Sequence, residues 1–313
     1  MPNKIPVLVL FAPTASGKSE LLLNLFSGKD EARVISADSM QVYRGMDIGT
    51  AKPTPAEQKL LPHYLIDIKN PDEQYSVAEF VDRADSLCQS IWAEGKLPIV
   101  CGGTGFYIRA FLLGLPSTPA SDPAARKALQ EELLERGPAE MWKKLLSLDP
   151  DSAKKIDPKD SYRVLRALEI VLSTGKPRSA FAQSLKLRDQ YDFATIILER
   201  DREDLYGRIE ARVEKMFEAG LEKEARALTQ KYAAAAPGMQ AIGYREFFET
   251  DAEGKPLSVE AIKERIKRDS KKYAKKQYVF TRGIPGATTI RVAQNNDTQA
   301  ELLKIALPLL DQI

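Results

Sequence analysis

The stretch from Lys4 to Phe26 constrains this chain more than any other. Val7 to Phe11 is an apolar run of the length of one buried strand, it leads directly into Ala12-Pro-Thr-Ala-Ser-Gly17-Lys18-Ser19, and an apolar helix, Glu20 to Phe26, follows. Strand, loop and helix in this order have the spacing of a P-loop. In such a loop backbone N–H groups and a helix N-terminus wrap a phosphate, a lysine neutralises it, and a hydroxyl holds the accompanying magnesium ion. The first position is Ala12 where glycine is usual, so its backbone conformation has to be reached with a Cβ in place. An ordinary glycine-containing strand-to-helix turn would show the same spacing and bind nothing.

The alternation continues along the chain. Arg33 to Ala37 reads as a second buried strand that delivers Asp38-Ser-Met-Gln41 to its carboxyl end, the edge of an open α/β sheet where ligands bind. Asp38 therefore stands at the end of the strand expected beside the P-loop. Val42 to Pro55 is broken by Gly45, Gly49 and Pro53 and is read as an ordered loop at the site, because structureless loops of that length are uncommon. Tyr64 to Ile68 is a third strand. Ser76 to Gly95 is a helix, with a capping serine, Glu79 three residues on and a terminal glycine. Leu97 to Cys101 is a fourth strand, ending in Gly102-Gly-Thr-Gly105 before a helix through Leu113. The predicted fold class is α/β, a P-loop NTPase-like parallel sheet flanked by helices.

Pro116 to Pro123 is rich in Pro and Ser and reads as a hinge. Beyond it only helices are predicted: Pro123 to Arg136, Ala139 to Leu148, and Ser161 to Ser173, stopped by Gly175 and Pro177. Residues 117–190 are thus expected to form an all-helical insertion in a core made of 1–116 and 191–313. Phe193 to Leu198 alternates like a strand and is expected to return to the parent sheet. Helices resume over Arg202 to Tyr232, with Leu205, Ile209, Val213, Met216 and Phe217 on one stripe. A long helix from Ser258 to about Arg282 follows, then a short strand and a closing helix between Ala287 and Ile313.

Length and charge agree with this plan. A chain of 313 residues can bury a full α/β core and carry a smaller domain besides. With 46 Lys and Arg against 44 Asp and Glu the net charge is +2, so any polyanionic partner has to be recognised by local clusters. Cys88 and Cys101 fall in helix-like and strand-like segments and read as reduced core thiols of a cytosolic protein. One histidine, His63, argues against a His-based triad or a zinc site, which leaves acid–base chemistry to carboxylates. No apolar run approaches the roughly 20 residues of a membrane span.

Lys18 and Ser19 call for a phosphate-bearing ligand with magnesium without saying which. Asp38 can ligate the metal, accept a proton from an attacking group, or cap the next turn. Gly102, Gly103 and Thr104 allow close backbone approach and add a hydroxyl. Arg208 and Arg212 can clamp phosphate oxygens, although on spacing alone pairing with Glu210 or Glu214 on the helix surface is the better reading. From Lys263 to Arg282 nine Lys or Arg face only Glu264 and Asp269. Arg268, Lys271, Lys272 and Lys275 share a face, with Ile262, Ile266, Tyr273 and Phe280 expected on the apolar face; a charge run is usually solvated helix, but one so one-signed also fits the footprint of a nucleic-acid backbone. Taken by themselves these residues fit a small-molecule or nucleotide kinase, or a nucleotide-governed RNA-binding switch. The absence of an obvious arginine-rich lid and the strongly basic helix count against the kinase.

Several motifs taken in order resemble one family. Ala12 to Ser19, Ile35-Ser-Ala-Asp38-Ser-Met-Gln-Val-Tyr43-Arg-Gly-Met-Asp47-Ile-Gly-Thr-Ala-Lys52-Pro53, Cys101-Gly-Gly-Thr104-Gly-Phe-Tyr107 and Gln240-Ala-Ile-Gly-Tyr-Arg245 are similar to those of the tRNA dimethylallyltransferases, over about Ile5 to Arg282. That family moves a dimethylallyl group from its diphosphate to the exocyclic amine of the adenosine 3′ of the anticodon. The resemblance implies that Ala12, Pro13, Thr14, Ala15, Ser16, Gly17, Lys18 and Ser19 grip the diphosphate of dimethylallyl diphosphate with help from Arg212, that Ser19 assists Mg2+, and that no triphosphate is hydrolysed. It implies Asp38 as general base, with Thr104 and Arg212 completing the catalytic set. Contacts to tRNA are implied for Asp38, Ser39, Met40, Gln41, Thr104, Arg126, Tyr162, Arg163, Val164, Leu165, Arg166, Gln240, Ala241, Ile242, Gly243, Tyr244 and Arg245, and the basic helix adds Lys271, Lys272 and Lys275. The target base is expected to flip out of its stack into a channel between core and insertion. The chain is expected to act as a cytoplasmic monomer. Its departures are Ala12 for glycine and Phe280 where tryptophan is common.

Overall fold

The computed structural model describes residues 4–119, 121–181, 185–281, 283–292 and 298–313. Arg282, the last residue of the basic run, lies outside them. The chain forms two compact units, Met1–Leu112 with Arg188–Ile313, and Leu113–Leu187.

In chain order the first unit runs β1 (Ile5–Phe11), α1 (Lys18–Phe26), β2 (Ala32–Ser36), α2 (Pro55–Leu60), β3 (His63–Tyr64), α3 (Val77–Ala93), β4 (Leu97–Gly102) and α4 (Gly105–Leu113). The second unit contributes α5 (Pro123–Leu148), α6 (Pro150–Ala153) and α7 (Ser161–Thr174). The chain then returns with β5 (Tyr191–Arg200), α8 (Arg202–Glu218), α9 (Leu221–Lys231), α10 (Val259–Thr281), β6 (Ala287–Val292) and α11 (Thr298–Leu310). Six strands form one sheet in the order β3-β2-β4-β1-β5-β6, with every pairing parallel. Val7 to Phe11 in the middle of it are fully buried, as a strand covered on both faces requires. Each such side chain contributes about 1.5–3 kcal/mol of burial.

Two expectations change. β3 is two residues long, because Leu65 (φ 63°) and Asp67 (φ 56°) take left-handed backbone that a strand cannot contain. β2 is not the neighbour of β1, since β4 lies between them. Asp38 nevertheless comes close to the loop after β1 because β4 ends in glycine: a Cβ on Gly102 would lie 2.1 Å from the Ala37 carbonyl oxygen, and one on Gly103 would lie 3.3 Å from that of Ala12. The run from Arg202 to Tyr232 divides into α8 and α9 at Gly220, whose φ of 101° suits only glycine.

In the second unit Gly137 (φ 78°, ψ 165°) and Pro138 break α5 where the sequence separates two helices. Its core gathers Leu129, Met141, Leu145, Val164, Leu165 and Leu168. The strand expected near Phe193 does rejoin the sheet, pairing with β1 from Tyr191 to Ile197. Cys88 and Cys101 are buried free thiols, and burial raises that of Cys101 to about 11. Among the described residues no helix is long and apolar enough to cross a membrane.

Candidate active site

The loop between β1 and α1 is built by local geometry and held from outside. Ala12 needs no left-handed backbone; the residue that takes it is Ala15 (φ 61°), followed by Gly17 (φ 93°) at the N-cap of α1. Ser16 N–H donates to the Pro13 carbonyl at 3.3 Å, and α1 starts at Lys18 with no side-chain cap on its first amides. Uncapped N–H groups and the positive end of the helix dipole are what such a loop offers an anion. The Ser16 hydroxyl is buried without a hydrogen-bond partner.

Two arginines brace this loop. Arg208 Nε donates to the Ala15 carbonyl at 2.9 Å and Arg200 Nε to that of Ser16 at 2.7 Å. The pairing of Arg208 and Arg212 with Glu210 and Glu214 favoured by their spacing does not occur. Glu210 takes Lys271, Glu214 takes Lys263 and Lys267, and Arg212 turns toward the site.

A cavity of about 530 Å³ is lined by Lys18, Ser19, Arg208, Arg212 and Lys215 together with Asp38. Burial lowers the Lys18 ammonium, a trend opposed by Cys101 and the Asp38 carboxylate. Burial likewise lowers the Arg212 guanidinium, against the pull of Asp38. An adjoining cavity of about 250 Å³ is lined by Ser39, Met40, Gln240, Ile242 and Arg245. Thr14, Asp38, Thr50, Arg212, Met216 and Tyr273 belong to both.

Asp38 is held at one oxygen. Its Oδ1 accepts from the Met40 and Gln41 amides at 2.9 and 3.3 Å, so it caps the turn as well as facing the cavities. Thr104 Oγ1 accepts from the Ser39 amide at 3.0 Å and donates to the Ser39 hydroxyl at 3.3 Å. Tyr273 stands beside this pair, its phenol raised to about 12 by burial and the Asp38 charge and eased by a hydrogen bond with Thr104. The described residues bring together no group of three or more His, Cys, Asp or Glu that could cage a metal. The oxygen donors Ser19 and Asp38 on one cavity suit a hard divalent cation, which takes oxygen ligands.

The loop from Val42 to Pro55 is pinned from three sides. Lys52 Nζ donates to the Tyr43 carbonyl, Asp47 and Asp67. Gln41 reaches the Thr50 and Ala51 carbonyls, and Glu224 accepts from the amides of Asp47, Ile48 and Gly49. Glu224 is marked by no motif, and Gln277, which closes the basic Tyr273-Ala-Lys-Lys-Gln277 segment, carries no sign in that segment of its bond to Thr14. The further signal for Gln277 is an uncharged polar residue on the stripe of Ile262, Ile266 and Ala274.

Some residues expected at tRNA have no side chain to offer it. Val164 and Leu165 point into the core of the second unit, and Tyr244 is fully buried. Tyr162 is exposed, with the Arg126 guanidinium 4.7 Å from its ring centre, and Glu169 lies beneath Arg126 and Arg166. On α10 the buried positions are Ile262, Ile266, Ala274 and Gln277, whereas Tyr273 and Phe280, expected on the apolar face, are 38% and 39% exposed. The basic face is partly neutralised, since Lys271 pairs with Glu210 at 2.5 Å and Lys272 with Asp269 at 3.5 Å.

A parallel sheet whose central strand ends in this loop, with an uncapped helix behind it, is that of an α/β protein of the P-loop class. Residues 41–283 match the family model described as IPP transferase. A tRNA dimethylallyltransferase of Geobacillus kaustophilus is 44% identical over 283 residues, 90% of this chain and 88% of its own. One from Desulfosudis oleivorans is 41% identical over 289 residues, 91% and 90% of the two chains. Among solved structures, the full-length tRNA isopentenylpyrophosphate transferase of Bacillus halodurans aligns with a TM-score of 0.68 at 35% identity, covering 99% of this chain and 98% of that one. A eukaryotic dimethylallyltransferase acting on tRNA aligns with a TM-score of 0.82 at 29% identity, over 97% and 78%. The chain belongs to the tRNA dimethylallyltransferase family.

Proposed function

We propose that this chain transfers a dimethylallyl group from dimethylallyl diphosphate to the exocyclic amine of the adenosine 3′ of the anticodon in tRNA. The observation that carries the reading is the pair of adjoining cavities with Asp38 on their shared wall. The larger, lined by Lys18, Arg208, Arg212 and Lys215, suits a diphosphate; the smaller suits a nucleobase.

Allylic diphosphates ionise readily because the cation is delocalised, so the main requirement is to stabilise charge building on the departing diphosphate. Amides at the start of α1, Lys18 and Arg212 would meet that charge from fixed positions. Mg2+, held by the Ser19 hydroxyl and the diphosphate, would add charge stabilisation as a Lewis acid. As the carbon–oxygen bond to diphosphate breaks and the bond from the adenine nitrogen forms, Asp38 accepts the proton that nitrogen releases. The Met40 and Gln41 amides on Oδ1 would hold the carboxylate in place for this. Thr104 and Ser39, bonded to each other, would set the adjoining wall. Arg126, Tyr162, Arg163 and Arg166 would contact tRNA from the second unit, and Lys275 from α10.

Incubation with unmodified tRNA and radiolabelled dimethylallyl diphosphate, beside a parallel reaction with radiolabelled ATP, tests the reading. Label from the prenyl donor is expected in tRNA and no ATP is cleaved; ATP cleavage without prenyl incorporation would refute it.

A further inference from the structure

We propose that Gln277 is a positioning residue for the phosphate-binding loop, an assignment that rests on the donor site described above. Its side chain is 3% exposed and both ends of its amide are used. Oε1 accepts from the Thr14 amide at 3.0 Å, and Nε2 donates to the Gly103 carbonyl at 2.7 Å. A backbone N–H on one side and a carbonyl on the other admit only one orientation of a side-chain amide. One residue on α10 therefore ties together the loop after β1 and the turn after β4, which lie 263 and 174 positions away in sequence.

Gly103 is shaped to this contact, because a Cβ there would lie 2.4 Å from Gln277 Nε2. The loop needs such a tie. Ala15, next to Thr14, holds a left-handed backbone (φ 61°) that is unfavourable for a non-glycine residue, and such strain persists only where neighbours over-determine it. Arg208 fixes the Ala15 carbonyl and Gln277 fixes the amide just before it. Without Gln277 the Thr14 amide and the Gly103 carbonyl lose their partners, and the loop can relax away from the conformation that aims the α1 amides at an anion.

The test is calorimetric titration of the full chain with magnesium and inorganic pyrophosphate, in the wild type, Gln277→Met, Gly103→Ala and the double variant. Melting midpoint and tRNA affinity are measured on the same preparations. Gln277→Met is expected to weaken pyrophosphate binding about tenfold, the scale of an unmade buried hydrogen bond, and to raise the donor KM more than it lowers kcat, with tRNA affinity unchanged. Gly103→Ala, which pushes the Gln277 amide aside, should cause a similar loss, and the double variant should lose no more than Gln277→Met alone. Additive losses, or tRNA and pyrophosphate affinity falling together, would show a general packing role and overturn the proposal. Wild-type pyrophosphate affinity in Gln277→Met would overturn it too, and if that variant does not fold, the same result in Gly103→Ala does so. A wild-type chain that binds no pyrophosphate would refute the donor site itself and this assignment with it.

Discussion

The Gly49 amide donates to the Tyr244 phenol oxygen at 3.1 Å, and a Cβ on Gly49 would lie 2.5 Å from Tyr244 Cε2. The Tyr244 hydroxyl in turn donates to Glu224 Oε1 at 2.6 Å, the carboxylate that gathers the Asp47, Ile48 and Gly49 amides. Tyr244→Phe therefore takes one donor from the half-buried Glu224 carboxylate, which keeps the Ile48 and Gly49 amides, and one of two acceptors from the Gly49 amide. Chemical denaturation should show a loss of about 1–3 kcal/mol. Gly49→Ala should cost more than Tyr244→Phe, since the ring it meets is fully enclosed and cannot step aside.

Asp38→Asn keeps an acceptor for the Met40 and Gln41 amides and removes only the charge and basicity. Single-turnover transfer should slow by about 10²–10⁴-fold, with tRNA affinity nearly unchanged. Wild-type turnover in that variant would remove Asp38 from the chemistry.

The three lysines on α10 are not equivalent. Lys271 and Lys272 are paired with Glu210 and Asp269, while no ion pair holds Lys275 among the described residues. If α10 tracks phosphates, replacing all three by alanine should flatten the dependence of tRNA affinity on salt, by about 0.7–0.9 in log–log slope for each phosphate no longer neutralised. Lys275→Ala alone should account for more of the change than Lys271→Ala, which also frees Glu210. An unchanged slope in the triple variant would take α10 out of the interface.

His63 gives stability a definite pH dependence. Burial lowers it from its ordinary 6.5, and its Nδ1 lies 2.6 Å from the Leu61 carbonyl, which suits the neutral ring with that nitrogen protonated. The unfolded chain then binds a proton near 6.5 that the folded chain binds only at lower pH. Stability is therefore fully present above the ordinary histidine range and falls as pH drops through it, until the folded value is reached. His63→Gln should remove this part of the slope in urea melts run across that range, and an unaltered profile would contradict it.

Much of the plan is legible because it is local. The strand before the loop shows in five consecutive apolar residues, α3 in Ser76, whose side chain caps it by accepting from the Glu79 amide, and the break in α5 in Gly137-Pro138. Where the structure departs from that pattern, the deciding quantity is not local. The third strand stops at Tyr64 because of two left-handed residues that carry ordinary side chains, and pattern alone cannot reveal a backbone angle. Spacing assigns Arg208 and Arg212 to acids on their own helix, since the loop that Arg208 braces lies 193 residues earlier.

Residue order along the chain thus sets which segments become strands and helices, places a phosphate loop after the first strand, and indicates the family, because each of these depends on residues close together in sequence. It does not reveal that β4 comes between β1 and β2, that Gly102 lets Asp38 close over that gap, or that Glu224 and Gln277 hold two loops in place. Those outcomes belong to the folded chain: they depend on strand order and on hydrogen bonds between distant segments, whose partners exist as neighbours only once the sheet has formed.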